Sequence, residues 1–153
     1  MAWLENKIPP PVVGALVAAA MWAASTLGPQ LPLASLPKYA LVAVLVVAGL
    51  SIDALGILAF RRARTTINPL KPQRASAMVT GGVYRVTRNP MYLGMALLLL
   101  AWAVWLSALL PFAGLLIYLL YITQFQIKPE ERVLHGIFGE EYTSYAARVR
   151  RWL

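Results

Sequence analysis

Apolar stretches of membrane-spanning length alternate with short polar connections along the chain. Four can be delimited: Pro11–Leu27, Tyr39–Phe60, Met91–Leu110 and Pro111–Ile127. A helix needs about 20 apolar residues to cross the hydrocarbon of a bilayer, with roughly 17 as the lower limit. The pattern therefore predicts an all-α integral membrane protein with about four transmembrane helices, of which the first and fourth are short.

The third and fourth segments form the most strongly apolar part of the chain. Residues 91–127 carry no charge, and Ser107 and Pro111 are the strongest turn signals between them. We expect a tight helical hairpin whose two ends lie at the same face of the membrane. That arrangement brings residues about forty positions apart into contact.

The tail after Ile127 has the spacing of one helix face. Its members recur at intervals of three or four residues, with a possible break at Gly139: Glu131, Leu134, Phe138, Tyr142, Tyr145 and Val149. With no further span behind it, this amphipathic helix is expected to lie at the inner membrane surface.

Composition agrees with a membrane protein, since 59% of residues are hydrophobic and 13% are charged. The absence of cysteine excludes disulfides and thiolate chemistry. The net charge of +8 is spread along a hydrophobic chain, which favours anionic lipid headgroups over nucleic acid as partners. We expect residues 1–153 to form one domain, with two spans in residues 1–60.

The basic residues are distributed unevenly between the connections. Residues 61–89 hold seven of them and the tail holds five more, whereas the connection before the second segment has Lys38 alone. By the positive-inside rule both termini are cytoplasmic. Val12 to Ala20 also resembles the apolar part of a secretory signal, but three further membrane segments argue against that interpretation.

Several kinds of site are excluded by the residues present. The chain has neither a Gly-x-Gly turn nor a Gly-Lys-Ser/Thr sequence, so dinucleotide folds and P-loops are disfavoured. His135 is the single histidine and has no second ligand at helical spacing, which argues against a metal site. We expect it to be an ordinary interfacial side chain.

Two polar clusters flank the predicted hairpin. In Arg88–Gly94, Asn89 is expected to cap a helix that starts at Pro90. Glu130 and Glu131 follow the fourth segment, where acidic lipids and the C-terminal end of a helix dipole both disfavour carboxylates. The two acids therefore need a cationic partner, and the candidates are Arg88, Arg132 or a bound cationic ligand.

These clusters resemble the motifs of the isoprenylcysteine carboxyl methyltransferases and phospholipid N-methyltransferases, which are small integral membrane enzymes. The resemblance covers roughly residues 60–153. It rests on the order and spacing of the motifs as well as on the identity of their residues. The matching elements are Thr65–Pro69, Gly82–Tyr84, Arg88–Gly94, Glu130–Leu134, Phe138, Gly139, Tyr142, Tyr145, Arg151 and Trp152.

The resemblance implies that S-adenosylmethionine binds between the hairpin and the tail helix, with residues 61–153 supplying the cofactor loop, hairpin and tail. Glu130 and Glu131 would bind the amino group or hydroxyls of the cofactor. Gly94 would permit its close approach, and Tyr92 would supply an aromatic wall near the sulfonium.

Tyr84, Asn89 and Pro90 complete the implied cofactor-binding set. Many members of the family have histidine where this chain has Asn89. Asparagine donates and accepts hydrogen bonds but cannot act as a base, so a role that needs an imidazole does not carry over.

The implied reaction is methyl transfer to a lipophilic carboxylate, amine or thiol at the membrane–cytoplasm interface, in the bacterial inner membrane. Arg88 or Arg151 would orient a carboxylate, whereas an amine would pass a proton to Glu131. Asp53, the one acid within a span, is either functional or paired with a basic residue such as Arg61. The alternatives are an NADPH-dependent membrane reductase related to sterol reductases and a non-catalytic scaffold.

Overall fold

A computed structural model describes residues 5–63 and 77–153. All the regular elements in these ranges are helical: α1 (Pro10–Ala24), α2 (Ser35–Arg62), a 3₁₀ turn (Gly82–Arg85), α3 (Pro90–Leu106), α4 (Pro111–Ile122), a π segment (Thr123–Ile127), α5 (Lys128–Phe138) and α6 (Glu140–Arg148). The all-α prediction is thus confirmed. Thr65–Pro69, together with Arg64, Lys71 and Arg74 of the basic connection, lies outside the described residues.

Helices α2 and α3 pack closely because glycines bring their backbones together. A Cβ atom on Gly49 would lie 2.9 Å from the Gly94 carbonyl oxygen, and one on Gly94 would lie 2.7 Å from the Gly49 carbonyl oxygen. Gly56 similarly faces Met91, at 3.1 Å from its Cγ. Small residues at such crossings are a common feature of helix packing in membranes. The contact fixes the start of α3 against the end of α2.

The predicted hairpin turn is confirmed. Helix α3 ends at Leu106, and Ser107 adopts a left-handed conformation with φ of 51° before α4 begins at Pro111. Lys38 Nζ donates to Ser107 Oγ at 3.2 Å, which ties the start of α2 to this turn. The opposite ends of α3 and α4 therefore meet at the other face of the bundle.

The fourth apolar segment continues directly into the tail. Helix α4, the π segment and α5 follow one another without an intervening loop from Pro111 to Phe138. Glu130 and Glu131 consequently occupy the first turn of α5. The expectation that they face the C-terminal end of a helix dipole is wrong, because the helical path passes through them.

The amphipathic tail is broken where the sequence indicated. Gly139, with φ of 52°, separates α5 from α6. Tyr142, Tyr145 and Val149 form a buried cluster against Met78, Leu134 and Phe138. The apolar face of the tail is thus covered by the chain itself.

One helix in the described ranges, α2, is long and apolar enough to cross a membrane by length and composition, with 28 residues. Helices α1 and α3 are apolar but shorter, with 15 and 17 residues. Val44, Val47 and Leu50 of α2 are exposed, as expected for a surface that contacts lipid. The count of four spans stays a prediction.

Candidate active site

The hairpin brings the two polar clusters together, as the sequence predicted. Arg88 precedes α3 and Glu131 lies in the first turn of α5, yet Arg88 Nη2 is 2.9 Å from Glu131 Oε1. Tyr92, one turn into α3, reaches Glu130. The candidate site is therefore built where the start of α3 meets the start of α5.

Glu131 is held by two arginines. Its Oε1 accepts hydrogen bonds from Arg88 Nη2 and from Arg151 Nε at 3.0 Å, and its Oε2 accepts one from Arg151 Nη2 at 2.7 Å. The side chains of Arg88, Glu131 and Arg151 are 13%, 18% and 34% exposed. The two-point contact with Arg151 is the geometry in which guanidinium and carboxylate bond most strongly, and it raises the pKa of Arg151.

Glu130 has a different environment. Its Oε1 accepts a 2.6 Å hydrogen bond from the Tyr92 hydroxyl. Burial raises the pKa of Glu130 to about 8; the bond from Tyr92 opposes this shift and the charge of Glu131 adds to it. At neutral pH this carboxyl is therefore mainly protonated.

The C-terminal segment forms one wall of the site. Arg88 donates its backbone N–H to the Arg150 carbonyl at 3.0 Å, and Thr87 Oγ1 donates to the Arg151 carbonyl at 3.2 Å. Asn89 Nδ2 also donates to the Arg151 carbonyl, at 2.8 Å. These bonds place the Arg151 side chain against Glu131.

Asn89 occupies the N-cap position of α3, but its side chain makes no capping hydrogen bond. The expected capping role is wrong because the amide is used to bind the Arg151 carbonyl. Pro90 is the first residue of α3, as predicted, and is buried. An imidazole N–H is also a hydrogen-bond donor, so this contact is one that a histidine could also make.

Tyr84 lies in the 3₁₀ turn and is buried. Its carbonyl accepts a hydrogen bond from the Tyr145 hydroxyl at 2.8 Å, and its ring meets Phe60 edge-on with centroids 5.5 Å apart. Burial, the nearby Tyr145 and the charge of Glu130 raise the pKa of Tyr84. The phenol is therefore a neutral group near Glu130.

Gly94 is used for helix packing. A Cβ atom there would lie 2.1 Å from Asp53 Oδ1, so the space beside it is filled by Asp53 and by the backbone of Gly49. Within residues 5–63 and 77–153, Asp53 Oδ1 is buried without a hydrogen-bond partner. The contact places Asp53 against α3 at Gly94, two residues after Tyr92.

Other predicted partners lie elsewhere. Arg132 pairs with Glu5, which ties the N-terminal segment to α5, so it does not serve the paired glutamates. His135 is exposed in the last turn of α5. The sequence did not predict that Arg151 pairs with Glu131. It also did not predict that Thr87 binds the Arg151 carbonyl. The sequence signal for Arg151 was its place two residues beyond the last member of the amphipathic face.

The structure defines a helical, largely apolar protein with a charged site at one end of its bundle. Residues 37–141 match the phospholipid methyltransferase family, and the chain belongs to that family. It is also similar to an uncharacterized protein of Haemophilus influenzae, with 51% identity over 63 residues that cover 41% of this chain and all of that protein. No solved structure matches the chain. The family indicates a methyltransferase and a membrane protein.

Proposed function

We propose that the protein transfers a methyl group from S-adenosylmethionine to a lipophilic acceptor at the membrane–cytoplasm interface. The observation that carries the proposal is the meeting of Arg88, Glu130, Glu131 and Arg151 at the end of an apolar helical bundle. Charged groups that are largely buried are costly unless they are paired. The family assignment makes methyl transfer the preferred activity over reduction.

The chemistry of these side chains fits the cofactor. S-Adenosylmethionine carries an ammonium, a carboxylate and ribose hydroxyls, which call for both acidic and basic partners. Glu130 supplies a carboxyl group, and Arg88 Nε is a buried donor without a partner in the described part of the chain. Buried donors without partners are uncommon and often mark a place where a ligand binds. Tyr84 and Tyr92 add phenol groups beside Glu130.

When bound, the cofactor supplies an electrophilic methyl group attached to a sulfonium. The chain's own residues then act by binding and alignment. Arg88 and Arg151 are held in place by Glu131, and Arg88 Nε is left to donate to an anionic group. Glu130 supplies the carboxyl group for a cationic or hydroxyl group, and the apolar helices exclude water. Fixing two reactants in a productive geometry contributes on the order of 7–11 kcal/mol to a barrier.

A cavity at the end of α2 is suited to the apolar part of the acceptor. It has a volume of about 480 Å³ between the end of α2 and residues 78–83. Its lining is mainly apolar and includes Leu55, Leu58, Ala59, Met78, Val79 and Val83. Val83 precedes Tyr84, so the cavity adjoins the candidate site. An acceptor bound there would have its chain in apolar surroundings and its polar end toward the glutamates.

The acceptor class is a carboxylate, an amine or a thiol. Purified protein in detergent should transfer label from S-adenosylmethionine carrying a radioactive methyl group into the organic phase of a bacterial lipid extract. Arg88→Gln should reduce the incorporated label at least tenfold, whereas Arg132→Gln, which affects only the pair with Glu5, should leave it near wild type. NADPH oxidation without label transfer would contradict the proposal in favour of a reductase.

A further inference from the structure

The two neighbouring glutamates of α5 differ in how their carboxylates are bonded. Both oxygens of Glu131 are used, because Arg88 and Arg151 together donate three hydrogen bonds to them. Glu130 accepts one hydrogen bond, from Tyr92 to Oε1. Its Oε2 accepts no hydrogen bond from the described residues. Glu131 thus has both oxygens bonded to arginines, whereas Glu130 has one oxygen without a hydrogen bond from the described residues.

This difference decides which acid a ligand reaches. Hydrogen bonds between charged groups are stronger than those between neutral groups, so a ligand cation at Glu131 would have to displace strong bonds. It would also leave two guanidinium groups without their partner. A cation at Glu130 meets no such competitor, since the Tyr92 hydroxyl bonds to the other oxygen.

We infer that Glu131 is a positioning residue that holds Arg88 and Arg151 in place, whereas Glu130 contacts the cationic group of the bound ligand. The inference rests on the proposed function, because it takes the ammonium of S-adenosylmethionine as that group. The family resemblance implied cofactor binding by both glutamates, whereas this inference gives direct contact to Glu130 alone.

Binding of a cation at Glu130 changes the protonation of the Glu130 carboxyl. The groups that face Glu130 are Tyr92 of α3, Tyr84 of the 3₁₀ turn, Tyr142 of α6 and the adjacent Glu131. Burial keeps the Glu130 carboxyl protonated at pH 6.5, since its pKa is about 8. An ion pair with an ammonium requires the carboxylate. Binding therefore releases the Glu130 proton to the solvent, and the charge balance is kept by the incoming cation.

Calorimetric titration with S-adenosylmethionine at pH 6.5, in two buffers of different ionisation enthalpy, counts this proton. Wild type should release about one proton per ligand bound. Glu130→Gln should bind at least tenfold more weakly and release none. Glu131→Gln should bind more weakly but still release the proton. Glu141→Gln, a change of the same kind at an exposed position of α6, should match wild type.

A double-mutant cycle separates positioning from direct contact. If Glu131 acts through Arg151, the affinity lost in the Glu131→Gln, Arg151→Gln pair will be smaller than the product of the single losses. Tyr92→Phe should retain proton release, because it leaves the Glu130 carboxyl in place. Loss of the proton signal in Tyr92→Phe would overturn the assignment.

The outcomes distinguish this inference from the proposed function. Thermal unfolding first shows that each variant is folded. Absence of binding to folded wild type would contradict the proposed function and the inference together. Binding by wild type with unchanged affinity in Glu130→Gln, or proton release that vanishes only in Glu131→Gln, would overturn the division of roles alone.

Discussion

Gly94→Ala is expected to destabilise the protein because a backbone carbonyl and the Asp53 side chain occupy the space that a Cβ atom needs. The added atom would lie 2.1 Å from Asp53 Oδ1 and 2.7 Å from the Gly49 carbonyl oxygen. The second neighbour is backbone, so α2 and α3 must move apart. Overpacking of this kind costs typically 1–3 kcal/mol, and alanine's better helix propensity returns at most about 1 kcal/mol.

Because both contacts are far shorter than ordinary ones, the upper half of the overpacking range applies and the net loss is about 1–2 kcal/mol. A protein of this length shifts its Tm by roughly 2–4 °C for each kcal/mol. Thermal unfolding in detergent, followed by circular dichroism, measures the shift. Gly136→Ala is the matched control, since nothing lies within 4 Å of a Cβ atom at that position. It should stabilise the protein by about 0.5–1 kcal/mol, because glycine is a poor residue inside a helix.

Two further variants test whether the loss of stability follows the crowding between α2 and α3. Gly56→Ala would bring its Cβ atom to 3.1 Å from Met91 Cγ, a flexible neighbour, so its cost should fall between those of the other two. Asp53→Ala should partly rescue Gly94→Ala by removing the 2.1 Å contact. Equal stability of Gly94→Ala and wild type, or greater damage from Gly56→Ala, would refute the packing described for α2 and α3.

Three other predictions concern the site. Asn89→Ala should lower stability by about 1 kcal/mol through loss of the bond to the Arg151 carbonyl, whereas Asn89→His should restore much of it; chemical denaturation compares them. Arg132→Gln should change Tm little, because the pair with Glu5 is largely exposed. Glu130 has its pKa raised by burial from 4.5 to about 8, so its stabilisation is full below pH 4.5 and is lost as pH rises through 8. Tm across this range should fall relative to Glu130→Gln, and parallel curves would contradict the shift.

Local signals in the sequence predicted the elements that depend on neighbouring residues. Ser107 and Pro111 marked the hairpin turn, and Gly139 marked the break between α5 and α6. The meeting of the Arg88 and Glu131 clusters followed from the hairpin, because antiparallel helices return the chain to the face where it began, although the sequence left Arg132 and a cationic ligand open as partners of the glutamates. These features need no knowledge of distant partners.

The features that the sequence did not predict depend on such partners. Asn89 has the residue type and position of a helix cap, but its side-chain amide donates to the Arg151 carbonyl, 62 positions away. Arg132 adjoins Glu131 in the chain yet points to Glu5, since successive residues of a helix face different directions. The π segment that carries the helical path through to Glu130 left no pattern of its own in the apolar run.

The ion pairs of Glu131 limit which groups can bind an anionic acceptor. Arg88 and Arg151 were expected to be available for a substrate carboxylate, but both are bonded to Glu131. An anionic acceptor would have to use the remaining donors, such as Arg88 Nε, or displace Glu131. Arg88 and Arg151 therefore form a fixed wall of the site and are not free to exchange Glu131 for a substrate carboxylate.

The central claim is that this charged site binds S-adenosylmethionine. Calorimetric titration of the cofactor into detergent-solubilised wild type, beside Glu131→Ala, tests it most directly. The account predicts saturable binding to wild type and a loss of at least tenfold in affinity in the variant, because Arg88 and Arg151 lose their common partner. No binding to folded wild type, or equal binding by both proteins, would contradict it.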